Sequence, residues 1–267
     1  MPHATNAADG VRTYFEDAGG AGPPVLFYTG FADPLEVARV SGLAQMLSGE
    51  FRLIFADHRG QGGSDKPLDP SSYALPTRVG DAGAVLDALS IERAHYLGSS
   101  WGARLGFALG EHAPERVLSL VLCGNQPYAW NLDSPIARAV AEAIAASRDH
   151  GMTGFVERFE SALDYRFPEP ERTWTLETND PAALEAAWRS VQSEGAISED
   201  LSWWRLPCLI CAGETDEMYE DAKRAAAEIP GAKFVSLAGH SHISAFYEAD
   251  DLLLPHVLEL LRSSTTP

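Results

Sequence analysis

Basic residues are scarce in this chain: 20 Lys and Arg stand against 38 Asp and Glu, for a formal net charge of -18. Such a surface repels phosphate backbones and anionic lipid, so nucleic acid and membrane surfaces are not expected partners, and solubility is what the charge serves. Cysteine is scarcer, with three in 267 residues. Cys208 and Cys211 have CxxC spacing, but they sit in an apolar run over 206–212 that reads as a buried strand. Positions three apart on a strand face opposite sides, so the two thiols share neither a ligand nor a bridge, and no zinc site follows. No apolar run reaches the 18 residues that a spanning helix needs. Residues 1–10 lack the basic start and apolar stretch of a signal peptide. The expectation is a cytoplasmic protein acting on a small molecule, with no cofactor and no metal.

What is present is core. Hydrophobic residues make up 45% of the chain, and a chain of this length buries roughly three quarters of its unfolded surface. Residues 11–16 alternate like a half-buried strand, and short apolar runs at 25–28, 51–56, 95–98, 117–122, 206–212 and 233–237 read as further strands. Helical spacing separates many of them, as in Val79, Ala82, Val85, Leu86 and Leu89 within 77–89, and again over 103–112, 220–228 and 244–262. This alternation predicts an α/β fold, a mostly parallel sheet with helices on both faces. It breaks down between the strands at 117–122 and 206–212, where helical patterns at 136–147, 153–163 and 181–191 have no strand among them. Five of the six tryptophans fall in that stretch (Trp130, Trp174, Trp188, Trp203 and Trp204). The expected organisation is one core from 1–124 and 206–267, with a helical cap at 125–205 over the sheet's carboxyl edge.

Gly98-Ser99-Ser100-Trp101-Gly102 matches G-x-S-x-G. The pattern alone is common; its place between a strand and a helix is what gives it meaning. A nucleophile has to project its oxygen off a tight turn, and glycines on either side let backbone approach without a Cβ clash. The bland alternative is a serine that only caps the helix. A hydroxyl needs a base to take its proton. His240, following Gly239 at the end of a strand, is the first choice, and His242 is the alternative. The acid that orients the base is expected at Asp216 in the loop after the 206–212 strand, with Glu214 as local alternative. The donors for a developing oxyanion are expected to be the backbone N–H groups of Trp101 and of Phe31, in the loop after the strand at 25–28. Trp130, Phe155, Phe159, Trp188 and Trp204 are the expected pocket residues, although cap packing alone accounts for most of the aromatics.

With these features in place, the chain resembles the α/β-hydrolase superfamily over nearly its whole length. Asp9-Gly10-Val11 with Gly22-Pro23-Pro24-Val25, the 57–64 loop Asp-His-Arg-Gly-Gln-Gly-Gly-Ser, the elbow at Ser100, Pro114-Glu115-Arg116-Val117, the 213–216 loop and Gly239-His240 carry the likeness. It implies an α/β-hydrolase fold with an eight-stranded sheet core and a helical cap, and the order Ser, Asp, His agrees with that of the family's triad. Many relatives place His-Gly before the oxyanion residue; this chain has Thr29-Gly30. The elbow and the 57–64 loop are similar to those of proline iminopeptidases, but their His-Gly-Gly-Pro-Gly motif is absent. Epoxide hydrolases and haloalkane dehalogenases have Asp where this chain has Ser100.

The function expected is cleavage of a small carboxylic ester or lactone through an acyl-enzyme. Carbon–carbon bond hydrolysis with the same triad is the alternative within the fold. A small-molecule sensor with little turnover is the alternative of another class.

Overall fold

The apolar runs become strands of one sheet in a computed structural model that describes residues 2–264. The strands are β1 (His3–Thr5), β2 (Arg12–Gly19), β3 (Pro24–Tyr28), β4 (Arg52–Ala56), β5 (Ala94–Ser99), β6 (Val117–Cys123), β7 (Cys208–Gly213) and β8 (Lys233–Leu237). Their spatial order is β1-β2-β4-β3-β5-β6-β7-β8. The β1–β2 and β2–β4 pairs are antiparallel, and every pair from β4 to β8 is parallel. Strands β3, β4, β6 and β7 are buried along almost their whole length, as expected where helices cover both faces of a parallel sheet.

Side-chain alternation along these strands sorts the core into two layers. Leu26, Tyr28, Ile54, Leu120, Leu122, Ile210 and Ala212 face helices α3 (Leu75–Ala88), α4 (Trp101–His112) and α8 (Tyr219–Glu228). Val25, Phe27, Leu53, Phe55, Val121 and Leu209 face α1 (Leu35–Val40), α2 (Gly42–Leu47) and α10 (Asp250–Ser263). Cys208 lies in the first layer and Cys211 in the second, as a strand spacing of three requires, and all three cysteines are free and buried.

Between β6 and β7 the chain holds helices and no strand: α5 (Pro135–Leu163), α6 (Glu171–Thr178) and α7 (Pro181–Ser193). Pro135 and Pro181 open α5 and α7 where a missing N–H costs nothing, and Ser134 and Asp180 cap them. The two helical patterns at 136–147 and 153–163 run together as α5, interrupted at Gly151, whose φ of 61° breaks the helix. The apolar faces of α5 and α7 form a third cluster, closing on Ala32, Trp101, Met218 and Ile243 at the carboxyl edge of the sheet.

Several elements differ from expectation, among them α1 and α2, which at six residues each are too short for helical spacing to show. Strand β1 is too short for any alternation to show, and α6 is too polar to display an apolar stripe. The final helix is two, α9 (Ser244–Tyr247) and α10, parted at Glu248–Ala249. No helix among the described residues is long and apolar enough to cross a membrane.

Candidate functional site

Four strands deliver loops to one rim: residues 29–33 after β3, Ser100 after β5, 214–216 after β7 and 238–242 after β8. At the second of these, Ser100 is held at φ 48° and ψ -113°, an unusual conformation for a side chain other than glycine. Holding it there costs about 1–3 kcal/mol, which the surroundings must offset. The Ser100 N–H donates to Cys123 O at 2.8 Å, Asn125 Nδ2 to Ser100 O at 2.9 Å, and the Gly102 N–H to Thr29 O at 2.9 Å. Both flanking glycines are required. A Cβ on Gly102 would stand 2.3 Å from the Tyr28 carbonyl oxygen, and one on Gly98 would stand 2.5 Å from the Gly102 backbone. The turn, pressed against β3, therefore lifts the Ser100 hydroxyl clear of the sheet.

That hydroxyl lies 3.0 Å from Nε2 of His242, whose Nδ1 lies 3.0 Å from Oδ2 of Asp216. The histidine beside the serine is therefore His242, and the expectation of His240 is corrected. The reason is how the two loops dock. A Cβ on Gly213 would stand 2.3 Å from the His240 carbonyl oxygen, and that oxygen accepts from Thr215 N and Oγ1, both at 3.0 Å. The backbone at 240 is thus pinned to the acid loop, and its ring turns to Ser244 Oγ, 3.2 Å away. Two more residues are needed before a side chain reaches Ser100.

Asp216 is buried, and its other oxygen accepts from the Met218 N–H at 2.9 Å. Glu214 is exposed and turned toward Ser236 and the Gly239 N–H. The structure thus brings Asp216, and not Glu214, to the imidazole. Burial pulls the His242 pKa down, but the Asp216 carboxylate, by charge and hydrogen bond, with Glu217 and Asp33 assisting, raises it above the ordinary value.

The oxyanion candidates lie on either side of the serine. Phe31 and Trp101 both line the cleft beside Ser100, and among the described residues no hydrogen bond occupies the amide N–H of either. The loop that carries Phe31 does without the family's histidine by other means. Thr29 Oγ1 donates to Asp33 O at 2.5 Å, and the buried His58 donates from Nε2 to Thr29 O at 3.0 Å. Burial and the Arg78 charge keep His58 well below its usual pKa, so the ring stays neutral.

A cleft opens above Ser100, with about 620 Å³ of empty space when the solvent at its mouth is included. Trp130, Phe159 and Trp188 line it, as expected. Two other expected pocket residues do not. Phe155 is buried in the packing of α5, its ring 6.5 Å from that of Phe31. Trp204 belongs to the sheet-side core: it lies over Gly110, 6.1 Å from Phe107, and its Nε1 donates to Glu111. The sequence reading missed Asp33, Phe167, Ile243 and Phe246. Only the last two carried a signal, their nearness to His242.

Behind the cleft wall, the Arg78 guanidinium lies 3.7 Å from the centroid of Trp101. Arg104 donates to the carbonyls of Gln126, Tyr128 and Gly195, tying both ends of the helical insertion to α4. Glu194 stands between these arginines, 3.8 Å from Arg78 Nη1 and 3.4 Å from Arg104 Nε. Among the described residues no group of three or more His, Cys, Asp or Glu could hold a metal ion.

Comparison with known proteins agrees with the fold. The family described as alpha/beta hydrolase fold matches residues 23–207. A fluoroacetate dehalogenase from Burkholderia sp. is 28% identical over 92% of this chain and 90% of its own length. A 2-hydroxymuconate semialdehyde hydrolase from Pseudomonas sp. (strain CF600) is 35% identical over 71% of this chain and 73% of its own. The crystal structure of a hydrolase from Pseudomonas aeruginosa PA01 superposes with a TM-score of 0.81 at 26% identity, covering 97% of each chain.

Proposed function

This chain belongs to the α/β-hydrolase family, and we propose that it is a serine hydrolase that cleaves a small carboxylic ester or lactone through an acyl-enzyme. The observation that carries the reading is the relay from Ser100 to His242 to Asp216, with both contacts at 3.0 Å, opening into an apolar cleft.

In the first step the Ser100 oxygen attacks the substrate carbonyl while His242 Nε2 takes the hydroxyl proton. Asp216 holds the imidazole in the tautomer with its proton on Nδ1 and stabilises the imidazolium that forms. The Phe31 and Trp101 amides receive the oxyanion, and each such donor lowers the barrier by about 3 kcal/mol. His242 then returns its proton to the leaving oxygen. Water, deprotonated by the same imidazole, releases the acid. The helices of residues 125–205 act as the cap that shapes the acyl and alcohol sites.

The serine bears on the choice among relatives. Dehalogenase and epoxide hydrolase chemistry puts a carboxylate where Ser100 stands, so the likeness to fluoroacetate dehalogenase extends to the family and not to its reaction. Carbon–carbon bond cleavage is the second reading, favoured by the relative named 2-hydroxymuconate semialdehyde hydrolase.

A fluorophosphonate probe and a panel of activated esters of graded chain length, with lactones alongside, test the proposal. Wild type is expected to label and to turn over members of the panel, while Ser100→Ala does neither. Equal labelling of the two proteins defeats the assignment. Turnover of a vinylogous diketone with inertness toward every ester and lactone selects the second reading.

A further inference from the structure

Among the described residues Asp33 is the one carboxyl that lines the cleft. It follows the oxyanion residue by two positions and lines the same space as Ser100 and His242. Its Oδ1 accepts from Tyr247 Oη at 3.3 Å, and its Oδ2 has no hydrogen-bond partner among the described residues. A Cβ on Gly30 would stand 2.9 Å from Asp33 Oδ2 and 3.5 Å from Ser100 Cβ, so the carboxyl oxygen and the serine both lie close against the Gly30 backbone. The free oxygen and the serine therefore lie near each other on the wall of one cleft.

We propose that Asp33 makes this cleft selective for substrates that carry an ammonium group close to the scissile carbonyl. The inference rests on the hydrolase reading above and adds a substrate class to it. Its basis is a charge without a counter-charge. Among the described residues no Lys or Arg lines the cleft. Arg78 and Arg104 stack on Trp101 and Trp130, do not reach the cleft, and are engaged by Glu194 and main-chain carbonyls. The titratable groups that act on Asp33 are Tyr247 and Tyr165, the imidazole of His242, and Glu171. Apart from the imidazole, each is neutral or negative. Charges drawn out of water are normally paired, and here desolvation pushes the half-buried Asp33 carboxyl up to about 7, although the Tyr247 hydrogen bond and the His242 charge pull it down. A bound cation would supply what is missing. The rest of the wall suits it, because Phe31, Phe159, Phe167 and Trp188 offer aromatic rings of the kind that hold quaternary ammonium groups. The net charge of -18 would also concentrate cations around the molecule.

The test compares isosteres: 4-nitrophenyl 4-(trimethylammonio)butanoate, 4-nitrophenyl 5,5-dimethylhexanoate, in which carbon replaces nitrogen, and the anionic mono-4-nitrophenyl glutarate. At pH 8 wild type is expected to favour the cation over the neutral isostere by about tenfold or more in kcat/KM, with the anion slowest. In Asp33→Asn the cation-to-neutral ratio should fall to within about threefold of unity. The wild-type ratio should also rise between pH 6 and pH 8 as Asp33 ionises, because the titration of His242 cancels in a ratio. Binding of choline against 3,3-dimethylbutan-1-ol, followed by calorimetry, repeats the comparison without turnover. Choline should bind more tightly to wild type and lose that advantage in Asp33→Asn. A ratio near unity in wild type, or a preference that survives in a folded Asp33→Asn protein, overturns the proposal. If no ester is cleaved but the choline preference holds and depends on Asp33, the hydrolase reading fails and the cation site stands.

Discussion

His242 Nδ1 lies 3.0 Å from Oδ2 of Asp216 although 26 residues of chain separate them, and both side chains are buried. Their approach depends on the docking of the 213–216 loop against the 239–242 loop, and the first predictions test that docking.

His242→Ala should abolish ester turnover, while His240→Ala should retain most of it, since the His240 ring contacts Ser244 and not Ser100. Initial rates on one activated ester decide the matter. Loss in His240→Ala with survival in His242→Ala would reverse the assignment of the base.

Asp216→Asn should fold normally and lose roughly 10⁴ in kcat, because the amide favours the wrong imidazole tautomer. Glu214→Gln should stay close to wild type, its carboxylate being exposed and turned away. Circular dichroism and kcat together make the check.

The free base must be neutral to accept the Ser100 proton. Because Asp216, Glu217 and Asp33 together raise the His242 pKa against the opposing effect of burial, activity should appear only as pH climbs past a midpoint above about 6.5. A kcat/KM profile whose acid limb falls below pH 6 would contradict that environment.

Asp33 should also leave a mark on stability. Its carboxyl ionises near the ordinary value of 3.8 when unfolded and at about 7 when folded. Between those values the folded state keeps a proton that the unfolded state has lost, so stability declines as pH rises through the window. Denaturant melts of wild type and Asp33→Asn from pH 4 to 8 should show wild type losing ground to the variant over that range. A constant difference would mean that the carboxyl is not perturbed.

Gly102→Ala should be costly even though alanine favours helices, because its Cβ would meet the Tyr28 carbonyl oxygen at 2.3 Å. Separating β3 from α4 should cost about 3 kcal/mol or more, a fall in Tm on the order of 10 °C. A thermal melt within a degree or two of wild type would show that the elbow has slack.

Much of the fold is legible locally. Strands β3, β4, β6 and β7 announce themselves as apolar runs because a strand covered on both faces has few polar positions to interrupt it, whereas β2 shows as an alternation. The elbow is legible because tight backbone contact at Gly98 and Gly102 admits no side chain. The aromatic insertion is visible as helical spacing without strands. The place of Asp33 in the cleft wall is not legible, since a loop carboxylate is ordinarily solvated and only packing against distant segments brings this one into the same cleft as Ser100 and His242.

The primary structure alone therefore determined the sheet, the serine and its turn, and the loop bearing the acid, since each follows from residues adjacent along the chain. Tertiary structure decided which of two neighbouring histidines meets the serine, and sent Trp204 to the sheet-side core instead of the cleft. The physical reason is the same in both cases. Which way a side chain in a turn points is set by contacts with segments far along the chain, as when Gly213 admits the His240 carbonyl and Gly110 admits the Trp204 ring. Local sequence specifies a conformation, and packing specifies the direction in which it faces.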